Sequence, residues 1–399
     1  DTPTRAPTIS PTDAPTRAPV IPTLSPTTSD LTTVNDCDGN SRTCTSSDDC
    51  ALQAFFITTN GCQWDDRTNW LSTSVGVCEW NGVNCDNSRV NTINLSRNNL
   101  AGSLPFQIGG LSDLGSLDLD GNSITGTLPI ELFTNSLPIK LIALNGNSLT
   151  GTIPTQIANL ASTLSYLDFG ANDMTGTIPG QIGENTLLTV LDLESNEDLF
   201  GTIPPELGAL SRLAFFQIAA TKVSGIIPDS FAALQNLFTF NIDVTRVSGT
   251  IPEYFGSFSN LAFLSAFDTL LTGTIPTVLG QLTNLTTFDF GFGDNIEGTL
   301  PTELGMLTKL ITLDLEGNFL DGTIPTEFGN FVLLDYISLA DNFLTGSIPE
   351  SLGNLVNAET MALEVNFLNG TVPQGICILE DDGLKFTADC DSDELECCP

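Results

Sequence analysis

The sequence predicts an α/β solenoid: coils stacked into a right-handed superhelix or horseshoe, with a parallel concave β-sheet, a second short sheet at T-G-T-I-P segments, and short helical or 3-10 returns. Three observations predict it. The glycine of a G-[TSI]-[ILV]-P signature stands at positions 102, 126, 151, 176, 201, 225, 249, 273, 298, 322, 346 and 370, a period of 24 or 25 residues. An L-x-x-L-x-L-x-x-N pattern runs ahead of it, as in Leu114, Leu117, Leu119 and Asn122. The ten cysteines fall in two even groups that bracket these twelve units. Units of this length bury their apolar faces only against their neighbours, so they stack.

The elements follow in order. Residues 1–35 open with "DTPTRAPTISPTDAPTRAPV", in which proline recurs at 3, 7, 11, 15 and 19 among threonines. With so little apolar surface to bury, this segment is expected to be an extended, polyproline-like stalk, suited to O-glycosylation. Residues 36–89 hold Cys37, Cys44, Cys50, Cys62, Cys78 and Cys85, and read as a disulfide-bonded N-terminal cap. Residues 90–373 are the twelve repeats. Residues 374–399, with Cys377, Cys390, Cys397 and Cys398, read as an acidic C-terminal cap. The chain has no histidine, and the cysteine spacings do not form paired C-x-x-C knuckles. Disulfides formed in an oxidising compartment therefore explain the cysteines better than a metal site, and the chain is expected to be secreted or at the cell surface. It begins at Asp1 without a charged and apolar leader, and holds no apolar run of 18 residues that would span a membrane.

Within a repeat, the inner L-x-L alternates with the period of a strand, leucines inward and the intervening side chains on an exposed face. Twelve such strands at about 4.8 Å would make a sheet roughly 55 Å long. The asparagine column (Asn98, Asn122, Asn147, Asn172, Asn196, Asn318, Asn342, Asn366) is expected inside the turn, its amide satisfying backbone groups that the bend leaves unpaired. Proline opens the return after G-T-I-P.

The L-x-x-L-x-L-x-x-N-x-L-x-G-x-I-P unit resembles the plant-specific class of leucine-rich repeats, found in receptor-kinase ectodomains and polygalacturonase-inhibiting proteins. The likeness covers residues 49 to 373. It extends to that family's N-terminal cap through Trp70, the C-x-W-x-G-V-x-C of Cys78 to Cys85, and Arg89-Val90. The resemblance implies a Cys78–Cys85 pair; the pairing of the other cysteines stays open. Cys37, Cys44, Cys62 and the terminal "CDSDELECCP" depart from the family pattern, as do the marked acidity and the lack of a kinase in the chain.

Three exposed surfaces are candidates for function. The outward strand columns carry Asp118, Asp168, Asp192, Asp289 and Asp314, then Asp120, Glu194, Asp243, Glu316 and Glu364. Like charges one strand apart repel by roughly 1 kcal/mol in water, so this face should welcome cations, unless it is simply a solvated acidic face. Isolated carboxylate pairs do not supply the six to eight oxygens calcium takes, and no metal or cofactor is expected. In copies six to eight the asparagine becomes Thr221, Thr245 and Thr269, and outward positions turn apolar. Phe215, Ala219, Val244, Phe263, Phe267 and Phe292 should form one contiguous patch rimmed by Asp243, Asp268 and Asp289. Burial by local curvature or a one-residue slip would remove it. The third surface is the pairs Thr125/Thr127, Thr150/Thr152, Thr175/Thr177 and Thr272/Thr274, a threonine array resembling ice-binding faces, though interrupted by Phe200, Ile226, Glu297, Asp321 and Asn369. Plain β-propensity also explains threonine there.

Composition narrows the classes. With 48 acidic against 12 basic side chains, a formal charge of −36, the chain should repel nucleic acid and attract cationic partners. Without histidine, a phosphate-binding glycine loop or a pocket to desolvate the Asp118/Asp120 pair, an enzyme is not expected. Sequons at Asn94, Asn284 and Asn369 could carry glycans. The expected function is extracellular recognition or adhesion, binding a protein, peptide or glycan on an acidic concave face with an aromatic centre. The alternatives are a structural glycoprotein of a matrix or filament, with self-assembly, and ice binding.

Overall fold

A computed structural model describes residues 33–35, 37–39, 41–134, 137–293, 295–381, 383–389 and 395–396. Apart from Thr33–Asn35, the stalk lies outside them, as do Cys390, Cys397 and Cys398.

Each repeat folds as one coil with a strand, a corner and a second strand, followed by a 3-10 return in the first eleven coils and by an α-helix, Gln374–Asp381, after the twelfth. The first strands, from Arg89–Asn94 to Thr360–Ala362, pair in parallel and in strict repeat register, so that Leu117, Ile142 and Leu167 stand level. The cap strand Val83–Asp86 joins antiparallel at one end and Lys385–Thr387 in parallel at the other, completing a 14-stranded sheet. Around the corner, the second strands form a ten-stranded sheet from Ala101–Ser103 to Phe319–Asp321, then a separate three-stranded one. The returns begin after proline, whose fixed φ suits that start: Pro154, at φ −68°, leads into Thr155–Leu160.

The leucines of L-x-x-L-x-L are buried throughout, as Leu114, Leu117 and Leu119 show. At the corner the asparagines work as expected and link coils. Asn147 Nδ2 donates to Leu119 O of the preceding coil (3.1 Å) and to Leu144 O of its own (3.0 Å), while its Oδ1 accepts from Ile124 N (2.9 Å). Asn172, Asn196, Asn318, Asn342 and Asn366 repeat this geometry.

The T-G-T signature also has a packing cause. Gly151, Gly176 and Gly201 lie at φ +80° to +90°, and a Cβ on each would meet Cγ2 of Thr127, Thr152 and Thr177 within 3 Å. The second threonine thus seats its methyl on the next coil's glycine. The first turns its hydroxyl back, as Thr125 does to Gly102 O (2.9 Å).

Disulfides join Cys37–Cys62, Cys44–Cys50 and Cys78–Cys85, the last being the pair implied by resemblance. Cys377 is disulfide-bonded as well. Helix α1 (Ser47–Thr58) closes the first coil: Asp48 accepts from Val90 N (2.9 Å) and pairs with Arg89 (2.9 Å). Phe55 and Phe56 of this helix pack with Trp64, Trp70 and Trp80 into one aromatic cluster. Among the described residues no helix is long and apolar enough to cross a membrane.

Candidate functional site

Three side-chain columns run along the concave face, one at each outward position of the first strands. The first holds Val190, Phe215, Thr239, Phe263 and Thr287 in register. The second holds Asp168, Asp192, Gln217, Asn241, Ser265, Asp289 and Asp314, so Asp168 stands beside Asp192 and Asp289 beside Asp314. The third, two residues further on, holds Asp120, Glu194, Ala219, Asp243, Phe267, Glu316 and Glu364.

The carboxylates are tied into the backbone rather than freely solvated. Asp118, Asp168, Asp192, Asp289 and Asp314 each accept the N–H two residues on, at 2.9 to 3.3 Å, closing the strand end. Asp120 accepts Asn145 N (2.7 Å), and Asp243 accepts Phe267 N (2.8 Å) and Ser265 Oγ. Thr387 donates to Glu364, and Ser338 to Glu316 (2.8 Å). Burial in this shallow trough pushes the acids up. Asp192 reaches about 7, from desolvation and then repulsion by Asp168 and Glu194. Asp289 also reaches about 7, from desolvation and then Asp314 and Asp243; Asp120 reaches about 6. Glu194, Asp243, Asp314 and Glu316 are raised for the same first reason.

The aromatic centre differs from expectation. Phe263 and Phe267 do face outward, flanking the buried Leu264 and Ala266, but the patch is not contiguous. Phe215 and Phe263 belong to the first column and Phe267 to the third, and the polar second column, Gln217 to Asp289, runs between them. One half gathers Phe215 with Phe238 (centroids 5.7 Å), which sits just before its strand and escaped the alternation pattern. Phe238 O accepts Phe263 N (3.0 Å). The other half is at the corner, where Phe267 meets Phe292 (5.5 Å), beside Val244, Asp268 and the half-buried Ala219.

That corner is strained. Coils two, three and ten place Gly121, Gly146 and Gly317 at its left-handed position, whereas Val244 (φ +52°) and Phe292 (φ +47°) occupy it at mid-solenoid and Val365 (φ +57°) in coil twelve. A β-branched or bulky residue there costs on the order of 1 kcal/mol, and such strain gathers at functional sites.

The threonine array is not the flat lattice of the sequence reading. Strands of the second sheet are offset by two residues per coil, so Thr152 is level with Thr175, and Thr175 with Asp198. Thr177 is level with Phe200, and Phe200 with Lys222. The Thr127–Thr150 and Thr152–Thr175 pairings run into Asp173 and Asp198, and the Thr250–Thr272 pairing into Asn295.

The sequons are exposed. Asn94 hydrogen-bonds Asp118 on the concave face (2.9 Å), Asn284 lies on the return near Lys309, and Asn369 lies on the second-sheet side.

Stacked coils with a laddered corner define a leucine-rich-repeat solenoid. Residues 113–135, 309–331 and 333–355 match the family model described as Leucine Rich Repeat. The chain is 43% identical over 67 residues to the receptor-like protein kinase HSL1 of Arabidopsis thaliana, a stretch covering 16% of this chain and 7% of that kinase. Its fold matches the crystal structure of a TDR receptor (TM-score 0.69, 30% identity, 76% of this chain and 51% of that one). It also matches the Arabidopsis receptor kinase HAESA in complex with a peptide hormone and a co-receptor (TM-score 0.68, 27% identity, 81% and 59%). The chain therefore resembles plant receptor-kinase ectodomains, and spans a small part to rather over half the length of these relatives.

Proposed function

We propose that this chain is a non-enzymatic extracellular recognition module that binds a cationic protein or peptide along the concave face. The observation that carries this reading is the row of buried or half-buried carboxylates, Asp120, Asp192, Glu194, Asp243, Asp289 and Glu316, held above their ordinary pKa by desolvation. Such a row repels itself when ionised, and a cationic ligand relieves the repulsion. The two aromatic clusters lie on either side of the row and would grip apolar side chains flanking the basic ones. The likeness to a receptor holding a peptide hormone supports a peptide-sized ligand.

The test uses a synthetic Lys/Arg-rich peptide as probe, with calorimetry at pH 6.5 in two buffers of different ionisation enthalpy. Binding should release protons and tighten as pH rises from about 5.5 to 7.5, because the ligand favours ionised carboxylates. Phe267→Asp and Phe263→Asp should weaken capture by about ten-fold or more each without unfolding the chain. Binding without proton release, or capture unmoved by both substitutions, would sink the reading.

A further inference from the structure

The flank of the second sheet carries a line of side chains that belongs to none of these surfaces. Three residues before each signature glycine, coils five to twelve present Asp198, Lys222, Arg246, Leu270, Asn295, Phe319, Phe343 and Phe367, all exposed. The aromatic end is a ladder: Phe319 and Phe343 lie 5.8 Å apart between centroids, and Phe343 and Phe367 6.0 Å apart. These rings are 50%, 46% and 57% exposed, although the core had room for many other phenylalanines. At the opposite end, Lys222 and Arg246 are two of only twelve basic residues in a chain of net charge −36. Lys222 holds Asp198 at 2.6 Å; with Phe200, these residues line an open cavity of about 660 Å³.

We propose that this stripe is a twofold self-association surface and that its occupant is a second copy of this chain, lying antiparallel. The order of residues carries the inference, because the stripe is complementary to its own reversal. A twofold axis between coils eight and nine sets Lys222 against Phe343 of the second copy, Arg246 against Phe319 of the second copy, and Leu270 against Asn295 of the second copy. Each cation thus meets a ring face or edge within a shared apolar line, and every contact occurs twice, as a closed dimer requires. The cavity beside Lys222 and Arg246 gives the incoming Phe343 a seat. Elsewhere two such acidic molecules repel, which singles out the stripe and leaves the concave face open to a ligand.

Sedimentation of the full chain at about 0.15 M salt tests this through a charge swap. The native protein should dimerise, and Lys222→Glu/Arg246→Glu and Phe319→Lys/Phe343→Lys should each raise the dimer dissociation constant by about a hundred-fold or more. Mixed in equal amounts, the two variants should recover association, because the new glutamates of one face the new lysines of the other. All four positions are solvent-exposed, and circular dichroism should show both variants folded. A native chain that stays monomeric up to about 100 µM, a dimer indifferent to both variants, or a mixture that remains monomeric would each overturn the proposal.

Discussion

Coils two to five and ten to twelve are joined differently from coils six and seven. In the outer coils an asparagine at the corner bonds both to its own coil and back to the one before, as Asn147 and Asn342 do. In coil six Thr221 Oγ1 bonds only within its own coil, donating to Ile218 O (2.8 Å) and accepting Val223 N (3.4 Å), and in coil seven Thr245 does the same with Ile242 O (2.7 Å) and Val247 N (3.4 Å). A hydroxyl has one donor and a shorter reach than an amide, so the inter-coil bond is lost. The core changes in parallel: Phe216 stacks on Phe240 (5.4 Å), and Phe240 packs edge-on to Phe255 (5.1 Å), where coils two to five use leucine and isoleucine. Mid-solenoid cohesion has moved from directional hydrogen bonds to aromatic packing. In the second column the same coils carry Gln217 and Asn241 in place of aspartate, and coil seven puts Val244 in a strained corner. The corner valine does not depend on losing the ladder, because coil twelve keeps Asn366 and still exposes Val365 at the same position.

The contrast breaks most sharply in the core. Phe240→Ala should cost about 3–5 kcal/mol, since the ring is fully buried between two others, while Ile142→Ala in coil three should cost nearer the bottom of about 2–5 kcal/mol. Denaturant unfolding followed by tryptophan fluorescence and circular dichroism would measure both; equal costs would deny the central coils a special dependence on their rings. Next comes the ladder itself. Asn147→Ala takes away the partner of Ile124 N and leaves Leu119 O only Asn122 Nδ2, and should cost about 2 kcal/mol, whereas Thr245→Ala should cost under about 1 kcal/mol. Hydrogen exchange should then show Ile124 losing most of its protection in the first variant and Val247, whose N–H has only the longer 3.4 Å bond to Thr245 Oγ1, losing less in the second.

Val244→Gly separates stability from function. Glycine takes the left-handed corner without a Cβ clash, so this variant should gain on the order of 1 kcal/mol while losing part of the corner cluster with Phe267 and Phe292. Higher stability together with weaker capture of the basic peptide is the expected outcome. A gain in stability with unchanged capture would place the strain outside the binding surface.

The fold was legible because one period repeats twelve times and every strand alternates. The same regularity fixed which side chains face outward, including Phe263 and Phe267. What the alternation could not supply was register in the second sheet. The offset that sets Thr175 beside Asp198 depends on how each coil turns its corner, so T-G-T read as a lattice when it is a glycine-and-methyl contact between coils. The aromatic patch failed as a single body for a related reason: outward residues on one strand were joined by sequence proximity, although Ser265 sits between Phe263 and Phe267. Phe238 was missed because it precedes its strand. The buried acids were visible as residues but not as a trough, since desolvation comes from the flanking columns.

The smallest effect concerns those acids, and its sign distinguishes the carboxylate coils from the aromatic ones. Asp192 in coil five and Asp289 in coil nine both have folded pKa values of about 7, against an ordinary 3.8. Between roughly pH 4 and 7 the native state therefore keeps protons that the unfolded chain has released. Stability is greatest at the acid end of that window and falls as pH rises through it, the opposite of a carboxylate held by a salt bridge. The melting temperature should drop between pH 5 and 8, and Asp192→Asn should flatten the slope, since an amide oxygen can still accept Glu194 N (3.0 Å) without carrying charge. A shift of no more than about 2–4 °C is expected from one carboxyl. The corresponding Asn241→Asp in coil seven should steepen the slope instead, by setting a new carboxylate beside Asp243 in a stretch that has few. If Asn241→Asp leaves the pH profile unchanged, repulsion along the trough is already screened by solvent, and the case for a cationic ligand weakens with it.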